Sequence, residues 1–123
     1  MTEPLSETCT RIGRAWLRAF NAHDVDALVA LYAESATYTS PKIRALHPES
    51  GGKLVGRSAL HGWWTGSNAR IPGLRYEATA FTADEHRVVV EYVRYADGQA
   101  PMPVAEVFEV EHGKIVASRV YHG

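Results

Sequence analysis

From Gly73 onward the sequence changes period and does not change back. Before that residue, apolar side chains recur at steps of three and four; after it they alternate. Four runs of similar length read as strands: Leu74 to Thr82, Arg87 to Tyr95, Val104 to Glu111 and Lys114 to His122. Their connections are Ala83-Asp84-Glu85-His86, a longer one around Asp97-Gly98, and His112-Gly113. Turn chemistry of this kind joins antiparallel neighbours, so the second half of the chain is predicted as a meander. The helices that precede a meander must lie on one of its faces. The expected fold class is therefore α+β, with three N-terminal helices packed on a mostly antiparallel sheet. Strands this long beside only three helices must curl, and a curled sheet around helices encloses a cavity.

The first half supplies those helices. Leu5, Cys9, Ile12, Trp16, Ala19 and Phe20 form one helical face, which should stop at Asn21-Ala22-His23 because Asp24 is the better cap for a second helix. Val25, Leu28, Val29 and Tyr32 repeat at helical spacing, predicting that second helix to about Ala33. Ser35 to Ser40 reads as a strand ended by Pro41. Pro41 to Val55, with two prolines and Gly51-Gly52, reads as a loop with a short edge strand near Lys53-Leu54-Val55, placed to fold over a pocket as a lid. Gly56-Arg57-Ser58 opens a third helix carrying Leu60, Trp63 and Trp64, closed by Ser67-Asn68 and Pro72-Gly73.

Composition narrows the function classes. At 123 residues the chain fits one domain that buries roughly two-thirds of its unfolded surface. A net charge of −1 gives no basis for nucleic-acid or anionic-membrane binding. No apolar run approaches the roughly 18 residues of a membrane helix, and the N-terminus has no basic-then-apolar signal pattern. The lone Cys9 excludes an internal disulfide and a thiolate cluster, so a cytoplasmic setting is expected. The six histidines show no helical i, i+4 pairing or tight strand pairing, so neither a metal nor another cofactor is implied. His23 beside Asp24 and Asp26 is explained better by a helix corner than by a metal.

The run Phe20-Asn21-Ala22-His23-Asp24, then Asp26 to Ala33, Ala36-Thr37-Tyr38 and Pro41, resembles the opening of the nuclear transport factor 2-like superfamily. Gly56-Arg57-Ser58-Ala59-Leu60 with Trp63-Trp64, and Val110 to Val116, match the same pattern. The SnoaL-like polyketide cyclase and ketosteroid isomerase branches are the most similar. The resemblance implies a cone-shaped domain, a deep apolar pocket between helices and sheet, and frequently a homodimer through the outer sheet face. It implies little about function, because this fold hosts many unrelated roles. In the isomerase branch a carboxylate just before the proline acts as base, and here that position is Ser40. The oxyanion-donating tyrosine of the first helix matches Trp16, a poor substitute, and the protonated late-strand acid matches Glu106. One of three functional positions thus keeps a carboxyl group, which argues against steroid isomerisation by that mechanism.

Glu106 also stands out without the family. Val104, Glu106, Phe108 and Val110 share one face, and an acid on an apolar face is costly unless paired, wet or protonated. If instead Ala105, Val107 and Glu109 face inward, Glu106 is merely solvated. Glu91 lies with Val89 and Val93 on one face of its strand; it either shares the cavity or, on the slightly better reading, sits outside and pairs with Arg94, Arg119 or a partner subunit. Tyr38 shares the face of Ser40 and is an oxyanion donor or core filler. His122, in register with Ser118 and Val120, either sits at the pocket mouth as a base near neutrality or, as a residue this close to the end of the sequence more often does, frays. Trp16, Phe20, Trp63 and Trp64 are core-forming positions, and at least two of them must fill the core; any cavity left beside them would be aromatic and apolar, with Trp63 and Trp64 pointing different ways. Two readings result. One is acid/base catalysis on a small, largely apolar molecule (cyclisation, isomerisation, dehydration or epoxide opening) centred on Glu106 and supported by Glu91, Tyr38, Trp16 or His122. The other is a non-catalytic dimeric ligand-binding or structural module, which Ser40 favours.

Overall fold

A computed structural model describes residues 3–123. Among them the sheet has six strands in the order β2-β1-β6-β5-β4-β3. The strands are β1 (Tyr32–Thr39), β2 (Lys53–Val55), β3 (Arg75–Ala83), β4 (Arg87–Tyr95), β5 (Met102–Glu111) and β6 (Lys114–His122). Every neighbouring pair is antiparallel except β1 with β6. The predicted meander is therefore β3 to β6, and the predicted edge strand is β2. The turn chemistry holds in detail. Asp84 Oδ1 accepts from the backbone N–H groups of His86 and Arg87, closing the β3–β4 turn. His112 and Gly113 both take positive φ, as a two-residue hairpin loop requires.

The register breaks between Tyr32 and Thr37 against β6, between Ala78 and Ala80 against β4, and between Glu109 and Val110 against β6. Each break bends its strand and tightens the twist, and together they curl the sheet around the helices.

Among the described residues four α-helices, not three, pack on this sheet: α1 (Leu5–Asn21), α2 (Val25–Val29), α3 (Pro41–Leu46) and α4 (Arg57–Arg70). The additional one, α3, falls where the prolines and glycines read as loop. Ser40 caps it, its Oγ accepting from the Lys42 N–H at 3.2 Å, and Pro41 occupies a first-turn position whose missing N–H costs nothing there. Ile43, fully buried, anchors it. A 3-10 turn at Pro48–Ser50 comes next. The second helix is shorter than its periodicity predicts, ending at Val29. Tyr32 belongs instead to β1, where the Leu31 carbonyl accepts from Ile115 N–H and Tyr32 pairs with Ile115.

α1 lies across β3 and β4 with Cys9, Ile12, Gly13, Trp16 and Phe20 buried. Gly13 permits the approach: a Cβ there would stand 3.2 Å from methyls of Val88 and Val90. The helix ends in a corner formed by His23 at φ 56°, whose Nε2–H donates to the Leu74 carbonyl, and Asp24 then caps α2 through the Ala27 N–H. No helix among the described residues is long and apolar enough to cross a membrane.

Candidate functional site

Alternation along the strands decides which side chains face the helices. On β4 the inward set is Val88, Val90, Tyr92 and Arg94; on β5 it is Val104, Glu106, Phe108 and Val110. Ser118 and Val120 of β6, with Ala36 and Tyr38 of β1, complete that face. Toward the ends of these strands the helices no longer fill the curl, and a cavity of about 150 Å³ opens. A dry apolar cavity of roughly that volume admits a benzene-sized molecule.

Its sheet wall is Tyr38, Tyr76, Tyr92, Val104 and Val120; its helix wall is Phe20, Trp63, Trp64, Ser67 and Ile71, with Leu74 between. Aromatic faces continue one another across this wall, with Phe20 stacked on Tyr76 at 3.8 Å between ring centroids and Tyr76 on Tyr92 at 4.1 Å. Trp64 is buried against Tyr32 and Tyr38, whereas Trp63 is half-exposed beside the Arg70 guanidinium. Ser40, Lys42, Leu46, Arg70, Arg94 and His122 complete the lining. Lys42 and Leu46 come from α3, so the segment read as a lid supplies part of this boundary as a helix.

Glu106 is 1 % exposed and lies behind this lining, reaching it through Tyr92, whose hydroxyl donates to Glu106 Oε1 at 2.9 Å. Its Oε2 is buried with no hydrogen-bond partner among the described residues. Burial drives the carboxyl up to about 8, and the Tyr92 hydrogen bond opposes only part of that rise. At neutral pH it is therefore mostly a neutral acid. Burial, and next the charge Glu106 acquires when it ionises, hold the phenols of Tyr32, Tyr38 and Tyr92 far above their ordinary range, and that of Tyr76 above it. The phenols stay protonated as donors.

Other expected site residues lie elsewhere. Glu91 is exposed on the outer face of the sheet, between Ala80 and Ala105, opposite in direction to Arg94. Val89 shares that outer face, because the period of two sends it away from Val88 and Val90. Trp16 is fully buried beneath the cavity and its indole N–H donates to the Tyr32 hydroxyl at 3.1 Å, so it is not available to a ligand. Phe108 packs against Trp16 at 5.0 Å, and Ser118 is buried beside Tyr38 in the sheet with its Oγ unpartnered; neither lines the cavity. Arg119 pairs with Glu109, not with Glu91. Of the other candidates, Tyr38, Ser40, Phe20, Trp63, Trp64, Val104, Val120 and His122 line the cavity.

Sequence reasoning missed Tyr76, Tyr92, Arg94, Lys42 and Arg70. The signal for Tyr92 was present: it shares a face with Val88 and Val90, the more apolar of the two faces of β4. Nothing local marked Arg94, since a cation at a strand end reads as solvated. Among the described residues no three His, Cys, Asp or Glu side chains gather as a metal site would require.

A cone of curled sheet closed by helices, with an aromatic cavity at its open end, defines a nuclear transport factor 2-like domain. The SnoaL-like domain family model matches residues 13–118, and this chain belongs to that family. No curated protein matches the sequence. Solved structures do. A SnoaL-like protein of unknown function from Burkholderia thailandensis is 28 % identical, with a TM-score of 0.86 over 98 % of this chain and 99 % of that one. A putative ketosteroid isomerase from Kribbella flavida is 18 % identical, with a TM-score of 0.79 over 96 % and 79 %. A ketosteroid isomerase-like fold from Catenulispora acidiphila, solved with trimethylamine, is 23 % identical, with a TM-score of 0.71 over 89 % and 83 %.

Proposed function

We propose that this protein binds a small, largely apolar organic molecule in the cavity and supplies it with a proton from the Glu106–Tyr92 pair. The observation that carries this reading is a carboxyl buried with one orphaned oxygen and tied to a cavity-lining tyrosine. Burying such a group costs free energy that an apolar residue of similar size would not, and such sites concentrate where acids and bases work. The chemistry it suits is cofactor-free cyclisation, isomerisation, dehydration or epoxide opening, with Tyr38 as a second phenolic donor and His122 at the mouth. Two observations favour a non-catalytic binding module instead: Ser40, where isomerases carry a base, is occupied as a helix cap, and Glu106 stands behind the lining. We further propose that the protein acts in the cytoplasm as a homodimer through the outer sheet face, where Val89, Val93 and Val107 remain partly exposed.

NMR on protein with carboxyl-labelled glutamate tests the first reading, using p-cresol as the probe. A Glu106 carbon titrating near 8 and moving when p-cresol loads, together with changes at the Trp63 and Trp64 indoles, is the expected result. A carboxyl that titrates between 4 and 5 removes the acid. Indole changes with a Glu106 signal that ignores the probe leave the binding module.

A further inference from the structure

We infer that the mouth of the cavity is a carboxylate-binding subsite, with Arg94 as its anchor and Lys42 and His122 beside it, and that the ligand is a small aromatic or otherwise apolar acid. The inference rests on the cavity's being a ligand pocket and names the chemical class it takes.

Arg94 is the last inward-facing residue of β4 and is only 6 % exposed, although it lines the cavity. Its hydrogen-bond partner is the neutral amide oxygen of Gln99, which accepts from Nη1 at 2.7 Å. No carboxylate pairs with it among the described residues. A guanidinium taken this far out of water without a counter-charge is costly, and the missing partner is an anion. The fork of N–H donors matches a carboxylate edge to edge, which a lone ammonium does not.

The surroundings point the same way. The lining holds Lys42, Arg70, Arg94 and His122 and not one Asp or Glu. Partial burial, then Arg94, lowers the basicity of Lys42; partial burial, then Lys42 and Arg94, lowers that of His122. These groups thus stand close enough to repel one another, and an anion between them relieves that repulsion. Glu106, the buried acid behind the wall, is held neutral behind Tyr92 and supplies no counter-charge at pH 7. Asp97, three residues on from Arg94, lies with its carboxylate against Gly73 and forms no ion pair with Arg94. The rest of the wall is aromatic, so the ligand joins a flat apolar body to an anionic end. A positive mouth on a chain of net charge −1 also steers such an acid inward.

Calorimetry with p-toluate and its neutral isostere p-toluamide at pH 7 tests this. The expected result is p-toluate binding at least tenfold tighter than the amide. In Arg94→Met the acid should lose at least tenfold while the amide stays within twofold. Lys42→Gln, at an exposed position where the fold is not at stake, should weaken the acid about threefold and leave the amide alone. Equal affinities for acid and amide, or an Arg94→Met or Lys42→Gln variant that weakens both alike, would overturn the carboxylate subsite and leave the pocket standing. Failure of both compounds and of p-cresol to bind the unaltered protein overturns the pocket and the subsite together.

Discussion

Glu106 makes the protein's stability depend on pH in an unusual direction. Its folded value near 8 lies above the ordinary 4.5, so between those limits the native state holds a proton that the unfolded chain has released. The stabilising contribution is complete below about pH 4.5 and is lost as pH rises through 8. The full swing corresponds to a few kcal/mol, at about 1.4 kcal/mol for each pH unit that separates the two values. Urea unfolding at pH 5.5 and 8.5 should therefore show the unaltered protein losing stability with rising pH while Glu106→Gln stays nearly flat and is the more stable of the two at pH 8.5. A Glu106→Gln protein with the same slope as the unaltered one would place the titrating group elsewhere. Glu91→Gln is the matching control. On the outer face, and in no ion pair among the described residues, it should change stability by no more than about 0.5 kcal/mol at either pH.

At the scale of elements, α3 decides how the cavity is bounded, and it depends on one hydroxyl. Ser40 is 4 % exposed, ends β1, caps α3 and lines the cavity, all within one residue. Ser40→Ala should cost about 1 kcal/mol in urea unfolding, the usual size of a lost N-cap. The same change should speed amide exchange selectively in residues 41–46, which carry Lys42 and Leu46 to the mouth. Uniform exchange across the chain would mean that the cap has no local role. α3 also explains why a segment rich in turn residues is ordered: a capping serine, a first-turn proline and one buried isoleucine suffice when the sheet is there to receive Ile43. Propensity alone would not have held six residues in a helix.

For the whole molecule, curl divides the sheet into two unlike faces. The inner one holds the core, the buried acid and the cavity; the outer one holds Glu91, the Arg119–Glu109 pair and the half-exposed Val89, Val93 and Val107. Sedimentation of the unaltered protein is expected to give the mass of two chains, and Val89→Glu, which sets a charge in the middle of that face, the mass of one with unchanged circular dichroism. A single-chain mass before substitution would sink the dimer. The sequence by itself determined the period switch at Gly73, all four strands of the meander, the β2 edge, the first helix and the Asp24 corner, because these depend on neighbours a few residues away. It also singled out Glu106, since one acid among Val104, Phe108 and Val110 breaks a local pattern. Only the tertiary structure decided which face of β4 turns inward, and so excluded Glu91 and Val89 while admitting Tyr92 and Arg94. That choice is fixed by α1, whose Gly13 sits against Val88 and Val90; both faces of β4 carry valines, so the local pattern only leaned toward it. The cations of the mouth were hidden. Lys42 and Arg94 stand 52 positions apart, from a short helix and a strand end, and their shared field exists only once the sheet curls.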